Sequence, residues 1–236
     1  MFWDNWADKY EDHYNLDRKS SRVRLMRKVE LLIKETGMCK GKTVLEVGYG
    51  TGIFTEQFDK TGARIIGIDI SPKMQEVALR KKLVNTSLFI RNAEDTQFPS
   101  NYFDIATGAY VLQWLQMDNF FSEMNRVLKP DGKLVVLAKN GENPLTFIEQ
   151  LKFTVKYIMN DSVFSDIVIA GNIVQRLKRH GFVNINIKPI EFTHWRWMNN
   201  VLENIPIIRN IAGSLVISAE KHKTTLEHQE LLGRVE

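Results

Sequence analysis

The stretch Val44-Leu45-Glu46-Val47-Gly48-Tyr49-Gly50-Thr51-Gly52 constrains this chain more than any other. Val44 to Val47 reads as a buried strand that runs straight into a glycine-rich turn. The spacing of Ile53, Phe54 and Phe58 then predicts a helix over 53–60. Glycines in such a turn let backbone approach a ligand at distances that a β-carbon forbids. In an open α/β sheet, the carboxyl end of such a strand is where a nucleotide-like ligand sits. The third glycine of a dinucleotide fingerprint falls on Ile53, so the pattern is G-x-G-x-G, with Glu46 two places before the first glycine. A second acid, Asp69, closes the next apolar run, Arg64 to Asp69. That is about the distance at which a ribose-binding carboxylate is expected.

Around this unit, 236 residues suffice for one substantial core and give little reason for a second domain. A net charge of +4 does not by itself call for nucleic acid. The single cysteine, Cys39, excludes an intramolecular disulfide and offers no cysteine cluster for zinc, so no metal is expected. No apolar run reaches membrane-spanning length and residues 1–8 do not read as a secretory signal, which makes the cytoplasm the expected location.

Residues 1–36 read as helices. Trp6, Tyr10 and Tyr14 fall at i, i+4 and i+8, on one stripe. A basic stretch follows, Arg18, Lys19, Arg22, Arg24, Arg27 and Lys28, with Val23, Met26, Val29 and Ile33 threading through it at helical spacing. Such a stretch can meet an anionic membrane surface, or be the solvated face of a packed helix. Ser71 is an N-cap and Pro72 a first helical residue for a helix whose core face is Met74, Val77 and Ala78. Short strands are expected at 87–90, 102–106 and 133–138, with a helix over 118–129 and a turn at Pro130-Asp131-Gly132. Gly181 stops a further helix, and strands at 183–187 and 214–219 follow. The alternation predicts a doubly wound α/β sheet of seven strands, mostly parallel, with an antiparallel last strand and helices on both faces. The expected organisation is one domain: a helical lid over 1–36, a cofactor core over 41–138, substrate-side segments over 139–212, and a last strand with its tail over 213–236.

The pattern E-V-G-x-G-T-G followed by G-I-D resembles motifs I and II of class I S-adenosylmethionine-dependent methyltransferases. The resemblance extends in order through Ser71-Pro72-Lys73-Met74, Asn92-Ala93 and Asn125 to Gly132, covering about residues 41–138. It implies S-adenosylmethionine as cofactor, held by Tyr10, Glu46, Gly48, Tyr49, Gly50, Asp69, Ile70, Met74, Asn92, Ala93, Glu94 and Ala109. It puts Tyr14, Tyr110, Gln113 and Trp114 on the acceptor's side. Asn92 stands where the family commonly has an acid, and its carbonyl oxygen can still accept a hydrogen bond from an adenine amino group. None of the five histidines, His13, His180, His194, His222 and His228, falls in the 108–114 segment, where related enzymes often place one. No general base can be named.

The resemblance implies methyl transfer to a small molecule. The segments 144–159 and 195–211, rich in apolar residues, suggest an acceptor with a large apolar part rather than nucleic acid or protein. A non-catalytic S-adenosylmethionine-binding protein and a dinucleotide-dependent oxidoreductase are the alternatives, the second disfavoured by Ile53.

Overall fold

The computed structural model describes residues 2–14, 18–144, 148, 168–190 and 212–223. The segments 144–159 and 195–211 and the residues His194 and His228 lie wholly or almost wholly outside them.

Strands β1 (Thr43–Val47), β2 (Arg64–Asp69), β3 (Thr86–Ile90), β4 (Phe103–Ala109), β5 (Leu128–Lys139), β6 (Phe182–Ile190) and β7 (Ser214–Lys221) form one sheet in the order β3-β2-β1-β4-β5-β7-β6. The first five neighbours pair in parallel, and β7 runs antiparallel to both β5 and β6. The doubly wound sheet with a reversed last strand is therefore present. Strand order reverses at β1, whose neighbours are β2 on one side and β4 on the other. A crevice opens beyond the carboxyl ends of strands at such a point.

Because side chains alternate along a strand, β1 feeds two cores. Leu45 and Val47 join Ile66, Ile68, Phe103 and Ala106 beneath helix α5 (Met117–Val127), whose Phe120, Phe121 and Met124 are fully buried. Val44 points the other way, to Ile65, Ile105 and Val135. That face is covered by helix α2 (Lys19–Thr36) and by Phe54 and Phe58 beside and within helix α3 (Thr55–Asp59).

The face of α2 differs from the sequence expectation. Leu25, Val29, Leu32 and Thr36 are buried, whereas Val23 is 47% exposed. Two stripes of helical period overlap at Val29, and the one carrying Leu25 and Leu32 packs on the sheet, with Ile33 of the other only partly buried beside it. Ile53, Phe54 and Phe58 are buried as expected, but the chain turns through 53–54 and the helix proper is only five residues long. Helix α4 (Pro72–Leu79) starts as expected, with the Ser71 hydroxyl accepting from the Met74 amide at 3.2 Å. Strand β5 starts five residues early, at Leu128 rather than Lys133. Asp131 takes the left-handed turn conformation at φ 61°, yet ladder bonding resumes on both sides of a register shift. Helix α6 (Ala170–Arg179) then ends at Gly181, φ 76°.

Candidate active site

Gly48, Gly50 and Gly52 all lie in the left-handed region, at φ 70°, 55° and 80°. A β-carbon on Gly48 would stand 3.0 Å from Val111 Cγ2. Gly48→Ala should therefore cost about 1–2 kcal/mol in backbone strain, before any displacement of Val111. Gly171→Ala, in α6 with open space and no left-handed φ, should stabilise by roughly 0.5–1 kcal/mol. Thermal melting of the two variants checks both signs.

Asp69 is pinned to the turn. Its Oδ2 accepts from the Gly50 amide at 2.9 Å and its Oδ1 from the Ser71 amide at 3.0 Å. Burial pushes its carboxyl above the usual range, the amide hydrogen bonds pull it back, and the charge of Asp4 adds to the rise. Glu46 is buried beneath the turn, and its Oε2 has no hydrogen-bond partner. Desolvation pushes its carboxyl up to about 8; the neighbouring Thr55 hydroxyl opposes this and the Asp69 charge adds to it. That hydroxyl favours the anion without reaching hydrogen-bonding geometry, since Thr55 Oγ1 is itself unpartnered. Thr51 Oγ1, Thr107 Oγ1, Tyr49 Oη and Gln113 Oε1 are likewise buried without partners. Thr107 sits opposite Glu46 across the β1–β4 pairing. Leaving a buried polar atom unpaired costs about 1–3 kcal/mol, and here such atoms gather around one turn.

The other expected residues divide. Tyr10, from helix α1 (Phe2–Tyr14), is brought to the turn: a β-carbon on Gly50 would meet its Cε1 at 3.6 Å. Asn92 is exposed just past the carboxyl end of β3, next to Arg91, whose amide donates to the Asp69 carbonyl at 2.9 Å. The Asn92 Oδ1 accepts from the Glu94 amide at 2.9 Å, and Glu94 in turn accepts from the Gln116 amide at 2.9 Å. Ala93 is buried, while Ile70 is exposed beside Asp69. Met74, 2% exposed, and Tyr49, 3% exposed, are packed inside. The Tyr49 ring fills the space a side chain on Gly67 would need, 2.9 Å from that β-carbon, so this tyrosine can face a ligand only through its backbone.

Beyond Ala109 the chain crosses the sheet's carboxyl edge. Tyr110 is held at φ 57°, uncommon for a bulky residue. Its hydroxyl lies 3.1 Å from Ser214 Oγ, and Lys28 Nζ stands 5.1 Å from its ring centroid. Gln113 and Trp114 follow in the 3-10 turn Leu112–Trp114. The Tyr14 side chain lies outside the described residues.

The sequence reading missed how α1 is anchored. Asp4 Oδ1 accepts from Ser71 Oγ at 2.6 Å and from the Lys73 amide at 3.3 Å. The Ser71 hydroxyl holds the Asp4 carboxyl below the usual range. Glu11 pairs with Lys81 at 3.0 Å, and Trp3 meets Trp114 edge to face with centroids 5.1 Å apart. Helix α1 thus spans the mouth from α4 to the 3-10 turn, across Gly50. The only local signal was an acid in the first helical turn. Thr51, Thr55 and Thr107 were missed too, because their burial depends on strands distant in sequence. Among the described residues no group of His, Cys, Asp and Glu could hold a metal ion.

A reversed-order seven-stranded sheet, a left-handed glycine turn and a carboxylate closing β2 form the arrangement expected of a class I S-adenosylmethionine-dependent methyltransferase domain. Residues 45–136 match the family model described as "Methyltransferase domain". The chain is 39% identical over 106 residues to the demethylmenaquinone methyltransferase of Tropheryma whipplei strain Twist, covering 44% of each protein. It is 36% identical over 149 residues to the ubiquinone/menaquinone biosynthesis C-methyltransferase of Psychromonas ingrahamii, covering 54% of this chain and 57% of that one. It thus spans about half the length of the curated relatives it matches. The fold is also that of Haemonchus contortus phosphoethanolamine N-methyltransferase 2, solved in complex with S-adenosylmethionine. That comparison has a TM-score of 0.65 at 20% identity, over 84% of this chain and 53% of the other.

The site suits this cofactor. It sets a buried carboxyl with an unpartnered oxygen and several unpartnered hydroxyls beside left-handed glycines, where a ligand bearing two positive charges can offset the cost of ionising that carboxyl.

Proposed function

We propose that this protein transfers a methyl group from S-adenosylmethionine to a small, partly apolar acceptor of the quinol type. The observation that carries the cofactor half is the buried Glu46 carboxylate with its unpartnered oxygen beneath the Asp69-pinned turn. When bound, the cofactor supplies an electrophilic methyl on a sulfonium that carries its own leaving group. The protein's part is then to hold, align and keep dry. In this reading Glu46 complements positive charge, and Asp69 and Asn92 hold the ribose and adenine ends. Helix α1 excludes water and brings the Tyr10 ring against Gly50, where its face can attract a cation.

Two facts support an apolar acceptor. The relatives above are named as quinone methyltransferases. The chain also enters and leaves its two apolar-rich segments at the carboxyl edge. Gly141 donates to the Val168 carbonyl at 2.9 Å, Asn140 to that of Gly213 at 3.2 Å, and Ile190 pairs with Ser214. Tyr110, Gln113 and Trp114, on the same edge, are the acceptor-side residues of this reading.

The purified protein, given radiolabelled cofactor and a reduced short-chain demethylated quinone, should pass label into the ring. Binding of NAD but not of S-adenosylmethionine in a calorimeter would overturn the assignment. Asp4→Ala removes two bonds that hold α1 down. Hydrogen exchange over residues 4–14 should then quicken roughly tenfold, for about 1–2 kcal/mol of lost anchoring, and KM for the cofactor should rise. Unchanged exchange would mean that α1 is held by its apolar contacts and the Glu11–Lys81 pair without Asp4.

A further inference from the structure

The basic stretch at the start of α2 is not used by methyl transfer, yet the fold places it where an acceptor would arrive. Lys28 Nζ over the Tyr110 ring fixes the middle of α2 at the carboxyl edge of the sheet. Glu35, near its other end, lies in one cleft with Lys133 and Glu220, at the opposite edge. The helix therefore descends from the carboxyl edge. At 1.5 Å per residue, Arg18 to Arg24 project about 6–15 Å beyond Lys28. Arg18, Lys19, Arg22, Val23 and Arg24 are all exposed there.

We propose that these first two turns of α2 dock the protein on an anionic phospholipid bilayer, with the carboxyl edge facing the membrane. The inference rests on the apolar acceptor proposed above, since such a molecule is taken from a bilayer rather than from water. Three features favour phosphate-bearing lipid as the occupant. The first helical turn carries no acid, and Arg18 provides no side-chain cap, so helix dipole and side chains have the same sign toward the surface. Among these charges Val23 is 47% exposed, an apolar group with no core to fill. Basic side chains around an apolar one suit a headgroup layer over hydrocarbon better than a polyanion in water. The chain also leaves for both of its apolar-rich segments from this same edge.

The test is co-sedimentation with vesicles of phosphatidylglycerol and phosphatidylcholine, against vesicles of phosphatidylcholine alone. The protein should bind the anionic vesicles selectively and leave them near 1 M NaCl, where the Debye length is about 3 Å. The combined variant Arg18→Ala, Lys19→Ala, Arg24→Ala should bind them roughly 100-fold more weakly, at about fivefold per charge. It should keep wild-type melting, cofactor affinity and turnover on the water-soluble short-chain acceptor. Equal binding to both vesicle types, an unaffected triple variant, or displacement from vesicles by stoichiometric tRNA would each overturn the proposal. Turnover on the soluble acceptor without vesicle binding would remove this inference and leave the proposed function standing. Vesicle binding without turnover on any quinol would do the reverse.

Discussion

Asp69→Ala should bind S-adenosylmethionine roughly 10- to 150-fold more weakly than the wild type. That range corresponds to losing about 1.5–3 kcal/mol of hydrogen bonding to a charged group. The carboxylate holds two loops as well as facing the mouth, so the variant also strands the amides of Gly50 and Ser71. The two effects separate by measurement. Without ligand, the relief of a buried charge partly offsets the stranding of both amides, so melting should shift by only a few degrees. With saturating cofactor the wild type should gain stability in proportion to RT ln(1 + [L]/Kd), and the variant should gain far less. Asp69→Asn keeps one acceptor oxygen but turns an NH2 toward a backbone amide, and should fall between the two. Calorimetric affinity of Asp69→Ala within threefold of wild type would take Asp69 out of the cofactor site.

What could be read from the chain alone was what is local. The glycine turn, Asp69, the Ser71 cap and the strand runs each declare themselves within a few residues, because φ preference, capping and alternation are short-range properties. The count of seven strands and the reversed last one followed from these, whereas their order in the sheet came only with the structure. The face of α2 was not legible, since Val23-Met26-Val29-Ile33 and Leu25-Val29-Leu32-Thr36 have the same period and only the sheet chooses between them. The inward turn of the Tyr49 ring needed Gly67 and Leu88 on two other strands. The anchoring of α1 depended on Asp4 meeting Ser71, across 67 positions of sequence. Asn92, Glu94 and Ile70 were placed by resemblance, and the geometry puts them along one edge without specifying what each would touch. Met74 is so well packed that its core role is visible while any ligand contact is not.

Glu46 should make cofactor binding proton-linked. Its folded-state carboxyl is raised to about 8 by burial, whereas in the unfolded chain it ionises near 4.5. The sign follows from proton counts. Between those values the folded protein holds a proton that the unfolded chain has lost, so stability falls as pH rises through the window. The stabilisation is fully present below about 4.5 and gone above about 8, at up to about 1.4 kcal/mol per pH unit between. A cationic ligand beside the carboxyl reverses the preference and favours the anion. At pH 7 the wild type should therefore release close to one proton on binding S-adenosylmethionine, and its affinity should climb with pH up to about 8. Glu46→Gln retains the shape but cannot ionise. Its unliganded form should melt higher than wild type at pH 8, and its cofactor affinity should be lower by roughly 10- to 100-fold, for the loss of a charge-assisted contact. Calorimetry in two buffers of different ionisation enthalpy reads the proton directly. Asp69, also raised by burial, remains in the variant and serves as the internal control. Proton release that persists unchanged in Glu46→Gln would assign the linkage to Asp69 and deny Glu46 its role as the buried counter-charge.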